Sequence, residues 1–503
     1  MNPRSLLFLA LLGSAFLVTG CRKDLQFTED GVTLEFSTEQ VLFDTVFSQL
    51  TTSVTKRFVA RNPNTQGVKV DIALVGGSPS PFRINVDGVS GETFEDVEIA
   101  GKDSVFIFVE VLPGATGVNT PFVIEDQIRF NTNGTEQEVL LQVWGQDVLK
   151  YPNADAPIQN IQGLPPFCYI AGGYDNNGVQ ICGENVVWTA EKPILLMNYA
   201  VVDSCNSLTI EAGARIYVHN GAGLWVYKYG RLTAAGEQEQ KIIFQGDRLE
   251  PAYQGLPGQW DRIWINEGEA GADNTLENVI IRNALIGIQC ETFPSDPLAP
   301  TSAAKLILNN VAIRNCSAAG ILSRNYRITS NNLLVADAGQ YCVALTGGGE
   351  YFFNHTTIAN YWSFDVREEP AFIMTNTYGD INGNIQVRDI TASTFQNGII
   401  YGSNTNEFLV DVDEAATTDY FFNRFLFRTD QSTSDAIHFG DQSFIIRNQD
   451  PAFADANNAD FHLTSSSISA INKGVISTNE AFSDLDGVFR GDGQPDLGCY
   501  EFE

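Results

Sequence analysis

Positive charge is scarce in this 503-residue chain: 30 Lys and Arg stand against 61 Asp and Glu, for a formal charge of −31. So acidic a surface repels phosphate backbones and anionic lipid, which excludes nucleic acid as a partner. Histidine is rarer still, with four residues scattered at positions 219, 355, 438 and 462, and no Cys-x-x-Cys pair occurs. That excludes the usual sequence patterns for zinc. Beyond the first twenty residues no apolar run is long enough to cross a bilayer as a helix. The chain is therefore expected to be anchored to a membrane, not to span one.

What the chain does have is a ladder. Ile-Leu-Asn-Asn-Val-Ala-Ile-Arg-Asn ends at Asn315, Thr-Ser-Asn-Asn-Leu-Leu-Val-Ala-Asp at Asp337, and Phe-Phe-Asn-His-Thr-Thr-Ile-Ala-Asn at Asn360. The lead asparagines are Asn309, Asn331 and Asn354, and Asn376 and Asn397 continue the rhythm. A repeat of about 22 residues is one coil of a solenoid. The segments alternate apolar and polar residues and are rich in Val, Ile, Phe and Thr, which predicts strands. Coil upon coil, such strands form parallel sheets around an apolar interior. Stacked asparagine amides at the bends can bond one another and the backbone groups a bend leaves unpaired. The expected fold is all-β, with a right-handed single-stranded parallel β-helix over residues 186–460 and a C-terminal cap over 461–503.

Residues 31–148 have a different texture: short alternating strands such as Val68 to Leu74 and Ser104 to Val111, with turn clusters such as Asn131-Thr132-Asn133-Gly134. This spacing predicts an immunoglobulin-like sandwich. Phe58 to Asn62, followed by Gly and Pro, resembles small bacterial domains of the major sperm protein and abnormal-spindle group. Residues 149–185, with Pro152, Pro157, Pro165 and Pro166, read as a linker. Within it Cys168 and Cys182 bracket a Gly- and Asn-rich loop and are the expected disulfide, since an exported protein can form one. Cys290, Cys316 and Cys342 read as buried thiols.

The N-terminus predicts export. Arg4 precedes the apolar run Leu6 to Leu17, which ends in Val18-Thr19-Gly20-Cys21 and resembles the bacterial lipobox. The resemblance implies a signal peptide over 1–20, a lipid on Cys21, a tether over 21–30 and an outer-membrane location. Several acyl chains would hold the protein to the membrane. Cys21-Arg22-Lys23-Asp24 is similar to the charged tags of surface lipoproteins in Bacteroidota, which implies cell-surface display.

Ser207 to Tyr217, Lys241 to Gly246 and Gly258 to Ile265 resemble successive coils of pectate-lyase-like β-helix proteins. Asp450-Pro451-Ala452-Phe453 and Pro495 to Glu501 resemble the terminal segment of bacterial members. Enzymes of that group act mainly on polysaccharides, but their hydrolase signatures (Asn-Thr-Asp, paired Asp-Asp, Gly-His-Gly, Arg-Ile-Lys) are missing here. The expectation is a non-catalytic scaffold that binds glycan or protein; the alternative is a polysaccharide lyase or glycoside hydrolase on the same solenoid.

Candidate ligand contacts are Arg282 and Arg314, at equivalent positions on successive coils, and Tyr361 and Trp362, just past a bend where loops build binding surfaces. The alternative for the arginines is a solvated surface row. No cofactor is implied apart from calcium, for which Asp484, Asp486 and Asp492, with intervening glycines, offer hard oxygen ligands.

Overall fold

The computed structural model describes residues 26–48, 55–114, 117, 122–292, 298–476, 482–491 and 493–503. Two units separate between Asp147 and Val148. The first holds two five-stranded sheets. Their strands bury every second residue, as a strand with one face inward must. Val105, Ile107, Val109 and Val111 of Ser104–Val111 join Phe58, Phe82 and Phe130 in one core. The pairings are antiparallel except for Gln40–Phe47, which runs parallel to Thr135–Gln146.

The second unit is a parallel β-helix with three strands per coil. It begins earlier than residue 186. Leu149–Tyr151 already pairs in parallel with Ile194–Leu196, and Phe167–Ala171 with Tyr199–Val202. The expected linker is thus the first coil. Its prolines sit between strands, where no ladder N–H is needed. The disulfide also differs: Cys182 bonds Cys205 on the next coil, and Cys168 is buried in the core. Cys168 pairs with Ala200 in the inward-facing row of its strand, so its thiol points into the solenoid and away from the Cys182 loop. Burial pushes the thiols of Cys168, Cys290, Cys316 and Cys499 up to about 12, which makes them apolar filling and poor nucleophiles.

In later coils the strands lengthen and run through the corners. Ala319–Ala338 and Tyr341–Asn360 each have 20 residues. The chain turns by placing one residue in the left-handed region: Asn278, Asn310, Asn332, His355, Asn397 and Arg424 have φ between 50° and 60° at one corner. Asparagine tolerates that conformation better than other side-chain-bearing residues. Just before it, Asn309, Asn331 and Asn354 stand in register. Asn354 donates to Asn331 at 3.1 Å, and Asn397 donates to Asn354 at 3.0 Å. Asn397 therefore joins the ladder from the bend position one residue later, while Gln396 holds the register place. Asn376 is not part of it. It stands on another corner, clamped to the backbone N–H and C=O of Asp413.

The C-terminal cap runs back along the outside of the solenoid. Phe461, Leu485, Cys499 and Tyr500 cover the outward-facing Ala312, Leu334, Ala336 and Ala359. Small residues in that outward row let the cap approach closely. Among the described residues no helix is long and apolar enough to cross a membrane. The signal peptide, Cys21 and residues 21–25 of the expected tether lie outside the described residues, as does Asp492. Residues 26–30 are described and are not a free tether, since the Thr28 N–H donates to the Gly67 carbonyl at 3.0 Å.

Candidate binding cleft

One cleft of about 470 Å³ gathers Arg282, Arg314, Tyr361 and Trp362, the four residues singled out as ligand contacts. Its size falls in the range of small-molecule sites. The solenoid supplies the floor. Arg282 and Arg314 are directly paired across two coils, one rung (about 4.8 Å) apart. One residue on, Asn283, Asn315 and Asp337 take φ of 65°, 57° and 54° and form a second corner column.

Three walls rise from this floor. The excursion around Gln254 and Gly255 is held by the column itself: Asn283 donates to the Gln254 carbonyl and Asn315 to the Gly255 carbonyl, each at 2.9 Å. The cap supplies Ala456–Asn458 and Ala459. The loop after Asn360 supplies Tyr361, Trp362 and Phe364. Asn360 shapes that loop's entry, donating to the Ala338 carbonyl at 2.9 Å and accepting from the Ala338 and Trp362 N–H groups. Trp362 then lies over Gly339, where a Cβ would stand 3.2 Å from the indole and 2.2 Å from the Ser317 carbonyl oxygen. Only glycine fits there.

The loop is braced from below. Arg367 and Glu407, both almost fully buried, form a two-pronged ion pair, with Nη1 to Oε2 at 2.8 Å. Arg367 also donates to the carbonyls of Asn360 and Glu369. Phe364 and Val366 remain 54% and 88% exposed on this braced loop. Exposed apolar side chains on a rigid support are a common sign of a contact surface.

The two arginines are held differently. Arg282 is exposed and donates through Nε to the Gln245 side-chain oxygen at 2.8 Å. Arg314 is half-buried; it donates to the Ala459 carbonyl at 3.2 Å and to the Tyr500 hydroxyl at 3.1 Å. Tyr361 leans toward the cap, stacked on Phe461 with centroids 6.1 Å apart, while Trp362 meets Phe364 at 5.0 Å.

Sequence reading missed Asp337. One carboxylate oxygen accepts the Tyr361 N–H at 3.1 Å. Burial pushes its carboxyl up to about 6, against the opposing pull of the Tyr361 N–H, Arg314 and Arg367. The signal was visible: the three repeated segments end in Asn315, Asp337 and Asn360, so an acid stands where its neighbours have an amide.

The calcium expectation fares differently. Asp484 spends its carboxylate on the N–H groups of Asp486, Val488 and Glu501, at 2.9, 2.8 and 2.8 Å. Asp486 meets His462 at 2.8 Å and Lys241 at 3.8 Å. These acids staple a turn of the cap to the solenoid, which leaves few oxygen lone pairs for an ion. Among the described residues no group of three or more His, Cys, Asp or Glu is placed to hold a metal.

Two tryptophans elsewhere on the solenoid are packing residues. Trp260 is core. Trp225 is buried and stacked on Trp264 at 4.6 Å, one rung on the next.

No family model matches this chain, and no curated protein does. Among solved structures it is similar to the ASH/PapD-like domain 7 of human CEP192, at 12% identity over 26% of this chain and 95% of that one, TM-score 0.16. It is also similar to the CooA pilin subunit of enterotoxigenic Escherichia coli, at 11% identity over 23% and 99%, TM-score 0.18. A third is a family 123 glycoside hydrolase from Clostridium perfringens, at 9% identity over 21% of this chain and 23% of that one, TM-score 0.16. Likenesses this slight carry nothing over to this chain.

Proposed function

We propose that this chain is a lipid-anchored protein of the outer membrane, displayed at the cell surface, whose β-helix binds a glycan in the cleft over Arg282 and Arg314. One observation carries the reading. Two guanidiniums, three aromatic side chains and one half-buried carboxyl, drawn from the solenoid and the loop after Asn360, line a single small-molecule-sized cleft. Sugar rings offer hydroxyls to charged donors and an apolar face to aromatic rings. The anchor is supported by the lipobox-like Val18 to Cys21.

Binding without catalysis is favoured by the composition of the cleft lining. Glycoside hydrolysis needs a pair of carboxyls about 5–10 Å apart, and among the described residues Asp337 is the one acid lining the cleft. A glycan array probed with the region from residue 26 onward tests the reading. Wild type is expected to retain a restricted set of glycans, and Arg282→Gln with Phe364→Ala to lose them. Equal retention by both proteins would place the site elsewhere, and release of unsaturated or reducing-end products would make the protein an enzyme.

A further inference from the structure

The floor of the cleft is charged in an unusual way for so acidic a chain. The hydrogen bonds that Arg282 and Arg314 make go to uncharged acceptors: an amide oxygen, a backbone carbonyl and a phenol. None of these acceptors is a carboxylate, and the cap carboxylate that feels Arg314, Asp460, spends its hydrogen bonds on His462. Each guanidinium has five N–H donors, so both keep capacity for a ligand. The two stand one rung apart, close enough to share one anionic group. The acid beside them is Asp337. Counted over these three side chains, the floor carries +1 with Asp337 ionised and +2 with Asp337 protonated.

We propose that the cleft takes up a sugar bearing an anionic substituent together with one proton. The anion is seated between Arg282 and Arg314, and the protonated carboxyl of Asp337 donates to it. The proton comes from solvent, and no covalent bond changes. The inference rests on the glycan reading of this cleft and adds the charge of the ligand and the linkage to pH.

Geometry supports the role of Asp337. Its Oδ1 is fixed by the Tyr361 N–H, so the other oxygen is the one that can serve a ligand. An ionised Asp337 would set its charge against the incoming anion in a half-buried site, where repulsion is poorly screened. The charged and titratable groups around it are Arg314 on the adjacent coil, Arg367 in the loop above, already paired with Glu407, and the buried thiol of Cys342, which burial keeps neutral. Its carboxyl, held up to about 6, changes state across the pH range in which such a linkage is measurable. The cleft is flanked by the cap and the loop after Asn360, and its volume of about 470 Å³ suits one or two sugar units.

Isothermal titration of the region from residue 26 onward with glucuronate, galactose 6-sulfate and glucose, at about pH 5 and about pH 7.5, tests this. At the lower pH at least one anionic sugar is expected to bind more tightly than glucose. If only the protonated form binds, affinity falls by up to about 30-fold at the higher pH. Asp337→Asn, which places in the column the amide its neighbours already have, is expected to fold and to lose the pH dependence. Arg282→Gln, at an exposed side chain, should reduce the preference for the anionic sugar. Glucose binding as tightly as both anionic sugars, or a pH dependence that survives in Asp337→Asn, overturns the inference and leaves the glycan reading standing. Failure of all three sugars, with array binding also absent, overturns both.

Discussion

Two corners of the same solenoid are built from the same kind of residue and do different things. At the closed corner, Asn331, Asn354 and Asn397 bond in series, and Asn397 also clamps the backbone of Val475 in the cap, donating and accepting at 2.9 Å. Asn354 and Asn397 are fully buried, their capacity spent on the fold. At the open corner, Asn283 and Asn315 start the same pattern, with Asn315 donating to Asn283 at 2.9 Å. Then an acid interrupts it, two arginines stand beside it, and loops arch over instead of packing down. A column of amides by itself therefore signals turn closure. The break in the column coincides with an open cleft.

If the open corner owes its shape to the braced loop, removing the brace gives the largest effect. Glu407→Ala would leave Arg367 buried without its partner, a loss of about 3–5 kcal/mol. The urea midpoint should fall accordingly, and limited proteolysis should cut first between Tyr361 and Ala371. Unchanged stability would mean that the loop, and with it the cleft wall, is held by something else.

A third corner, where Cys205 takes φ of 61°, is fixed covalently to Cys182. Closing a loop with a sequence separation of 23 residues is worth about 3 kcal/mol in the chain-entropy account. Cys182→Ser and Cys205→Ser are expected to lower stability by the same amount and not to add. Peptide mapping without reductant should recover the Cys182–Cys205 link. Recovery of a Cys168–Cys182 link would restore the pairing expected from sequence and contradict the register of the first coil.

At the closed corner, Asn397→Ala would strand the Val475 N–H and C=O and force a Cβ-branched-free but amide-less residue to hold φ of 55°. The cost is about 1–3 kcal/mol. Thermal melting should show it, while sugar binding at the open corner is expected to stay as in wild type. A loss of binding on this substitution would erase the distinction between the two corners.

Much of this was legible in the chain. The solenoid was readable because a repeat of about 22 residues with strand periodicity has one economical packing. The pairing of Arg282 with Arg314 was readable because equal offsets in equal coils become neighbours. The first coil was not, since its strands, Leu149–Tyr151 and Phe167–Ala171, are short and separated by prolines and carry no repeat signature. Nor was the disulfide: sequence proximity favoured Cys168, whereas pairing depends on which way a strand residue points. The acid at Asp337 was visible as the odd member among the repeat ends Asn315 and Asn360, but its raised carboxyl was not, because that comes from burial and from the loop after Asn360.

A comparable effect, confined to one pH window, is the most specific to the open corner. Asp337 has its carboxyl raised from 3.8 to about 6 by burial. In that window the folded chain keeps a proton that the unfolded chain releases. Stability therefore falls as pH rises from about 4 to about 6 and is level above that, by on the order of 1–3 kcal/mol. Other acids add their own slopes, so the measurement is a difference: urea unfolding of wild type and Asp337→Asn across the window, with the Asn variant lacking this component. The two curves should diverge as pH rises, with the variant relatively more stable at neutral pH. Parallel curves would show that Asp337 titrates as an ordinary exposed acid. The open corner would then be a solvated bend like any other, and the proton linkage would lose its physical basis.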